Sequence, residues 1–213
     1  MPKAVDKAFF KLIFFVINTK VSKMTLVIKP FIIARAIIEI GDQTWMAENL
    51  KVTQYRNGDP IPNLTDENDW ENTEQGAYCN YDNDESNVKT YGRLYNWFSV
   101  DDKRGLAPLG WHIPTTDEWD ALMDNVKGDV EDDVYTREVG QLILESKEKA
   151  DMRRLYDPRA TNESGFTALP GGYYHPDKGS KFQGYAGYFW SSTVHNVSTT
   201  AWARYLSADE DNI

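Results

Sequence analysis

The spacing of apolar residues predicts one well-defined helix near the middle of the chain. Four apolar side chains recur there at intervals of three and four residues, which places them on one helical face. Thr115 and Glu118 precede this stripe with the spacing of a capping box, and Pro114 ends the extended segment before them. We therefore predict a helix over residues 116–126 with Trp119 buried against a sheet. The stripe consists of Trp119, Leu122, Met123 and Val126.

Two further segments show helical spacing. Tyr91, Leu94, Tyr95 and Phe98 repeat in the same way and predict a helix over residues 91–98. A shorter pattern covers residues 139–146. Between residues 57 and 87 the chain is rich in Asn, Asp, Gly and Pro, which predicts a long irregular region.

Strand patterns occur near residue 40 and in the last quarter of the chain. A strand is predicted over residues 37–45. Four short aromatic strands alternate with glycine turns near the end of the chain, over residues 166–169, 172–174, 188–192 and 201–206. Two main helices followed by a series of short strands predict an α+β domain.

Residues 1–36 differ from the rest and are interpreted as an N-terminal extension to a domain that spans residues 37–213. Their two apolar stretches, residues 8–17 and 24–38, are interrupted by charged residues and by Pro30. Neither reaches the roughly 18 apolar residues of a membrane-spanning helix. The extension is a degenerate signal sequence, an additional strand or helix, or an upstream extension of the reading frame.

Charge and cysteine content narrow the classes of partner. The formal net charge is -10 and the sequence pI is about 4.8. Nucleic acids and anionic membranes are bound through basic patches, so we expect neither as a partner. Cations, sugars and basic proteins remain as candidate partners. Cys79 is the single cysteine, so no disulfide can form within the chain.

Five motifs occur in a fixed order. Together they resemble the Fibrobacter succinogenes major paralogous domain over roughly residues 37–206. This resemblance implies a C-type-lectin-like fold with two main helices and short, mostly antiparallel twisted strands. It also implies a secreted or cell-surface bacterial protein, and the family has no settled biochemical activity. The motifs are IGDQTWMAENLKV (40–52), YGRLYNW (91–97), GWHIPTTDEW (110–119), GFTALPGGY (165–173) and YFWSST (188–193).

The resemblance also implies a closing C-terminal strand that does not follow here before Ile213. In the lectin-like fold the terminal strands pair, so the chain is expected to carry an unpaired, adhesive sheet edge. Residues 24–38 are rich in β-branched side chains and are predicted to cover that edge. The alternative is self-association through it.

Carboxylate and amide oxygens are dense between residues 81 and 87. Asp82, Asp84 and Glu85 are the candidate ligands of a calcium ion, which prefers such oxygens in a flexible loop. The glycine and the distant glutamate of an EF-hand are missing. The alternative is a solvated acidic turn. No other cofactor is predicted.

The aromatic residues fall into two groups. The first lies in apolar patterns and is assigned to the core: Trp97, Trp111, Trp119, Phe166 and Trp190. The second lies beside glycines and polar residues, where exposed rings form sugar-stacking or protein-contact surfaces: Tyr173, Tyr174, Tyr185, Tyr188 and Trp202. In the lectin-like fold, ligands usually bind to the loops of the C-terminal half of the domain. The candidate ligand-binding residues are Tyr174, His175, Asp177, Tyr188, His195, Asn196 and Trp202.

The sequence offers only weak evidence for a catalytic site. The three histidines are scattered, which disfavours a catalytic metal, and His112 is expected to have a hydrogen-bonded structural role. The function that we expect is non-catalytic binding of a glycan polymer or protein at the cell surface. One alternative is a structural or assembly module. The other is an enzyme that uses carboxylates such as Asp117, Glu118 and Glu163, although Glu118 is explained by the capping box.

Overall fold

A computed structural model describes residues 3–6, 16–18, 37–127, 162–176, 178–195 and 200–207. Within these residues the chain has a mixed α+β architecture of short helices and small, mostly antiparallel sheets, which confirms the predicted class. The predicted helix over residues 139–146 lies outside the described residues.

The largest sheet has five strands in the order β1, β10, β9, β7, β8. All neighbours are antiparallel except β7 and β9, which are parallel. The predicted strands 172–174, 188–192 and 201–206 are confirmed within it. The strands are β1 (Lys3–Asp6), β7 (Gly171–His175), β8 (Gly179–Gln183), β9 (Ala186–Val194) and β10 (Thr200–Ser207).

Two smaller sheets complete the strand inventory of the described residues. One contains β2 (Val16–Asn18), β4 (Gln43–Met46) and β3 (Ile37–Ile40), with β4 in the middle. The other pairs β5 (Tyr78–Cys79) with β6 (Leu94–Tyr95).

Two of the predicted strands differ from the structure. The single strand predicted over residues 37–45 is a hairpin of β3 and β4. It turns at Gly41, whose φ of 56° suits glycine. The segment predicted as a strand over residues 166–169 forms none, because Thr167 has a φ of 60°, outside the extended region. Phe166 is nevertheless buried in the core, as predicted.

Four α-helices occur in the described part of the chain. None of them is long and apolar enough to cross a membrane. Only the last exceeds two turns, and it confirms the helix predicted over residues 116–126. The helices are α1 (Glu67–Asn72), α2 (Val88–Tyr91), α3 (Trp97–Val100) and α4 (Thr116–Lys127).

The predicted capping box begins α4. The backbone N–H of Thr115 donates to Glu118 Oε2 over 2.9 Å, and the N–H of Glu118 donates to Thr115 Oγ1 over 3.2 Å. Two backbone donors at the start of the helix are therefore satisfied by side chains.

The helix predicted over residues 91–98 is wrong. Gly92 has a φ of 76°, which ends α2 directly after Tyr91. A Cβ at Gly92 would lie 2.6 Å from Asn49 Cβ, so the chain approaches its neighbour more closely than any other residue allows. Residues 94 and 95 then form β6, and α3 begins behind the side-chain cap of Asn96.

The hydrophobic core has two clusters, on either side of β9. Phe189 packs with Trp119 of α4 in the first, and Trp190 packs with Trp97 of α3 in the second. Of the side chains assigned to the core, only Trp111 is half-buried, at the border of the second cluster.

The last described strand, β10, is paired on both sides. Lys3–Asp6 lies antiparallel to it, with Lys3 opposite Ala203 and Asp6 opposite Thr200. Residues 24–36 of the segment predicted to cover this edge lie outside the described residues, and Ile37–Ile40 pairs with β4 instead. Self-association through this sheet edge stays a prediction.

We expect Trp119→Ala to lower the free energy of unfolding by about 3 to 5 kcal/mol, the range for a buried Trp removed from a packed core. Trp119 is 1% exposed, and its ring lies 5.0 Å from Trp45 and 6.0 Å from Phe166. Urea denaturation measures the loss. Trp111→Ala, at a half-buried site, is the control with a smaller loss. Equal losses for the two variants would contradict this view of the core.

Candidate functional site

Five aromatic side chains form a continuous row across the five-stranded sheet. From β10 to β8, the ring centroids are 4.6 Å apart for Tyr205 and Tyr188, 4.8 Å for Tyr188 and Tyr173, and 5.8 Å for Tyr173 and Phe182. Tyr185, in the turn before β9, lies 6.5 Å from Phe182. We call these five residues the aromatic row.

The row shares a sheet face with the second core cluster. Alternation along β9 places Tyr188 on the face of Trp190, which is buried against Trp97 at a centroid distance of 5.5 Å. In β10, Tyr205 is likewise two residues after buried Ala203. The row is thus the continuation of the core toward the surface.

Exposure increases from Tyr205 to Phe182. Tyr205 is buried, Tyr188, Tyr173 and Tyr185 are half-buried, and Phe182 is 51% exposed. Burial, with a smaller contribution from Tyr205, raises the pKa of Tyr173. Its phenol therefore stays neutral at physiological pH and retains its O–H as a hydrogen-bond donor.

One cation stands beside the row. Lys181 pairs directly with Tyr173 in the β7–β8 ladder, and residues directly opposite in such a pair project to the same face. Lys181 is exposed. The surface thus combines flat apolar rings, phenol hydroxyls and an ammonium donor.

The structure separates the ligand-binding residues predicted from the sequence. Tyr188 belongs to the aromatic row. Tyr174, its expected companion, is 5% exposed and stacks on Trp70 with ring centroids 4.4 Å apart. Adjacent strand residues face opposite sides, so Tyr174 points into the core while Tyr173 lies in the row. The assignment of Tyr174 to an exposed rim was wrong.

A second group of predicted residues lies at the far end of β9. The rings of His195 and Trp202 are 4.6 Å apart. Tyr188 and His195 are separated by seven residues along an extended chain, or roughly 20 Å. His175 ends β7 and is half-buried. Asp177 and Asn196 lie outside the described residues. His195 and Trp202 therefore do not form one common rim with Tyr188, whereas His175 is two residues after Tyr173 in the same strand.

The match of residues 38–211 to the family model of the Fibrobacter succinogenes major domain identifies the family. The chain belongs to the Fibrobacter succinogenes major domain family. The match covers all strands of the aromatic row, β7 to β10, and leaves out the predicted N-terminal extension. Proteins with this domain are typically surface proteins, and its function is unknown. No curated protein and no solved structure gave a significant match.

Two carboxylates of the acidic loop, those of Glu85 and Asp84, are engaged within the chain. Arg93 donates to Glu85 Oε1 over 2.8 Å, and Asn80 donates to Glu85 Oε2 over 2.7 Å. These bonds hold the pKa of Glu85 below its usual value. Asp84 Oδ1 accepts from the backbone N–H of Ser86 over 2.8 Å.

No group of three or more His, Cys, Asp or Glu side chains is placed to hold a metal ion among the described residues. Calcium at Asp82, Asp84 and Glu85 stays a prediction, and the ion would compete with Arg93 for Glu85. Cys79 is buried, and burial raises the pKa of its thiol, so the thiolate needed for nucleophilic chemistry is disfavoured.

The carboxylates considered for catalysis are dispersed. Glu118 is bound to its cap, and its Oε1 accepts from His112 Nε2 over 2.7 Å, which confirms the hydrogen-bonded role predicted for His112. Asp117 is exposed at the start of α4. Glu163 borders a shallow cleft of about 270 Å³ with Glu39 and Asn125.

Sequence reasoning omitted Phe182, Tyr205 and Lys181 altogether. It grouped Tyr173 and Tyr185 with the exposed aromatic residues but did not include them among the candidate ligand-binding residues. A signal existed for Tyr205, which is three residues from the candidate Trp202 in an aromatic strand. Its position opposite Tyr188 depends on the strand register, which includes an irregularity between Ala201 and Ala203. No signal in the sequence marks the placement of Phe182.

We expect the stabilisation by Glu118 to depend on pH. Burial alone would raise its pKa, but hydrogen bonds from His112 and Thr115 outweigh burial and place the pKa below the ordinary value of 4.5. A lowered carboxyl pKa stabilises the fold above about pH 4.5, and the contribution is lost as the pH falls through the folded-state pKa.

Glu118→Gln should therefore lower the free energy of unfolding by about 1 kcal/mol at pH 7, and by less at pH 3. Urea denaturation at both pH values measures the difference. Asp117→Asn, an exposed charge in the same helical turn, is the matched control. A difference that is as large at pH 3 as at pH 7 would show that the charge of Glu118 is not responsible.

Proposed function

We propose that this domain is an exported, non-catalytic binding domain that holds a glycan polymer at the bacterial cell surface through the aromatic row. The observation that supports the proposal is the contiguous set of rings that leads from the core to an exposed Phe182. Membership of a family typical of surface proteins supports the location.

The chemistry of the row suits a carbohydrate. Aromatic faces are electron-rich, and they attract the polarised C–H groups on the flat face of a pyranose ring. Tyrosine hydroxyls at the ring edges and the ammonium of Lys181 supply hydrogen bonds to sugar hydroxyls. The rings are tilted by 64° between Tyr173 and Tyr188 and by 47° between Tyr188 and Tyr205. A twisted or bent chain therefore fits this surface better than a flat sheet of polymer.

Other partners fit the row less well. Aromatic stacking also serves single-stranded nucleic acids, but those proteins surround the rings with positive charge, whereas this chain carries a net charge of -10. A standard protein–protein interface buries about 800 Å² on each partner, and one exposed and three half-buried rings offer on the order of 300 Å². The row is wide enough for a polymer chain and narrow for a folded protein.

The fold that we propose is C-type-lectin-like, supported by the five motifs and by the short, mostly antiparallel strands. Lectins of this class hold sugar through calcium, and the site proposed here uses aromatic rings instead. The absence of catalysis is supported by the engagement of Glu118 with its cap and by the burial of Cys79.

Retention on polysaccharides tests the proposal. The purified chain would be incubated with microcrystalline cellulose, chitin, xylan and bacterial peptidoglycan, with and without a calcium chelator. We expect saturable retention on at least one of them. Tyr188→Leu, which keeps apolar volume but removes the flat ring, should weaken binding at least tenfold.

Leu109→Ala is the control, since Leu109 is an exposed apolar side chain outside the row. Circular dichroism checks that both variants are folded. Retention on none of the four polymers, or equal loss in both variants, would contradict the proposal. Concentration-dependent self-assembly without polymer binding would favour the alternative of a structural module.

A further inference from the structure

Phe182 is the most exposed ring of the aromatic row and has an unfavourable backbone conformation. Its φ is 63°, in the left-handed region that bulky side chains rarely occupy. Glycine, Asn and Asp are the residues that tolerate this region best. The sequence thus places an aromatic residue where the backbone favours another type.

The conformation arises where β7 and β8 approach each other closely. Gly172 also has a positive φ, of 71°, and a Cβ there would lie 2.3 Å from the carbonyl oxygen of Lys181 and 2.7 Å from the backbone nitrogen of Gln183. The ladder pairs Gly171 with Gln183 and Tyr173 with Lys181, which puts Phe182 at the level of Gly172. Both strands are therefore distorted at the same point.

The distortion changes the face to which Phe182 projects. In a regular strand, Phe182 would point away from the face shared by Lys181 and Tyr173. Its ring instead lies 5.8 Å from Tyr173 and 6.5 Å from Tyr185. The left-handed residue thus adds a fifth ring to the row.

Burial compensates for this conformation only in part, because the side chain is 51% exposed. Strained residues of this kind are concentrated at ligand sites. We infer that Phe182 is the exposed stacking platform for the glycan, and that its left-handed conformation is maintained for ligand affinity rather than for folding. The inference rests on the proposed function and adds the residue that determines the affinity of the row.

Two variants separate the effect of the backbone strain at Phe182 from the effect of its aromatic ring. Phe182→Asn removes the ring and suits the left-handed backbone, whereas Phe182→Ala removes the ring and keeps the unfavourable conformation. In thermal melts we expect Phe182→Asn to be at least as stable as the wild type and more stable than Phe182→Ala. A melting temperature for Phe182→Asn below that of Phe182→Ala would overturn the assignment of strain.

Retention on cellulose, chitin, xylan and peptidoglycan then tests the role in binding. Both variants should bind at least tenfold more weakly than the wild type. Phe182→Trp, which keeps an aromatic ring at this position, should bind as the wild type does. Wild-type retention with unchanged binding by Phe182→Asn would overturn this inference and leave the proposed function intact. No retention of the wild type on any of the four polymers would overturn the proposed function itself.

Discussion

Two indole N–H groups fix the position of β9, and the rest of the structure is arranged around this strand. Trp119 Nε1 donates to the carbonyl oxygen of Trp190 over 3.3 Å, and Trp190 Nε1 donates to the carbonyl oxygen of Tyr95 over 2.8 Å. Both indoles are buried, and an unpaired donor there would be costly. The helix α4 and the strand β6 are therefore held on β9 by directional bonds as well as by apolar packing.

The position of the aromatic row follows from this constraint. Tyr188 precedes Trp190 by two residues, so it lies on the same face at the point where the second core cluster ends. Tyr205 and Tyr173 are placed beside it by the neighbouring strands of the sheet. A binding surface that continues a packed core is pre-organised, so little conformational entropy is lost when a ligand binds.

Local signals in the sequence were sufficient for α4, because its cap and its apolar stripe both lie within twelve residues and support the same structure. They failed over residues 91–98, where the apolar spacing also fits a strand followed by a short helix. The deciding factor there is a tertiary contact. Gly92 passes against Asn49 and Leu50, which lie more than 40 positions earlier in the chain.

The candidate site was only partly predictable from the sequence, again because tertiary structure decides part of it. Aromatic residues beside glycines indicated the correct sheet, but the face of each ring depends on register. Tyr173 and Tyr174 are equivalent in composition and pattern, and only the fold places one in the row and the other on Trp70. For Phe182 the alternation rule gives the wrong face, since a single left-handed residue reverses it.

The acidic loop is part of the support for the row. Arg93, at the start of the segment leading into β6, holds Glu85 and stacks over Tyr78 at 4.8 Å. The held loop in turn contacts β8: the N–H of Asp82 donates to Ser180 Oγ over 2.8 Å. A guanidinium supplied by the chain thus stabilises a loop that packs against the strand carrying Phe182. The carboxylate of Glu85, through its bond to Arg93, is thus part of the support for the aromatic surface.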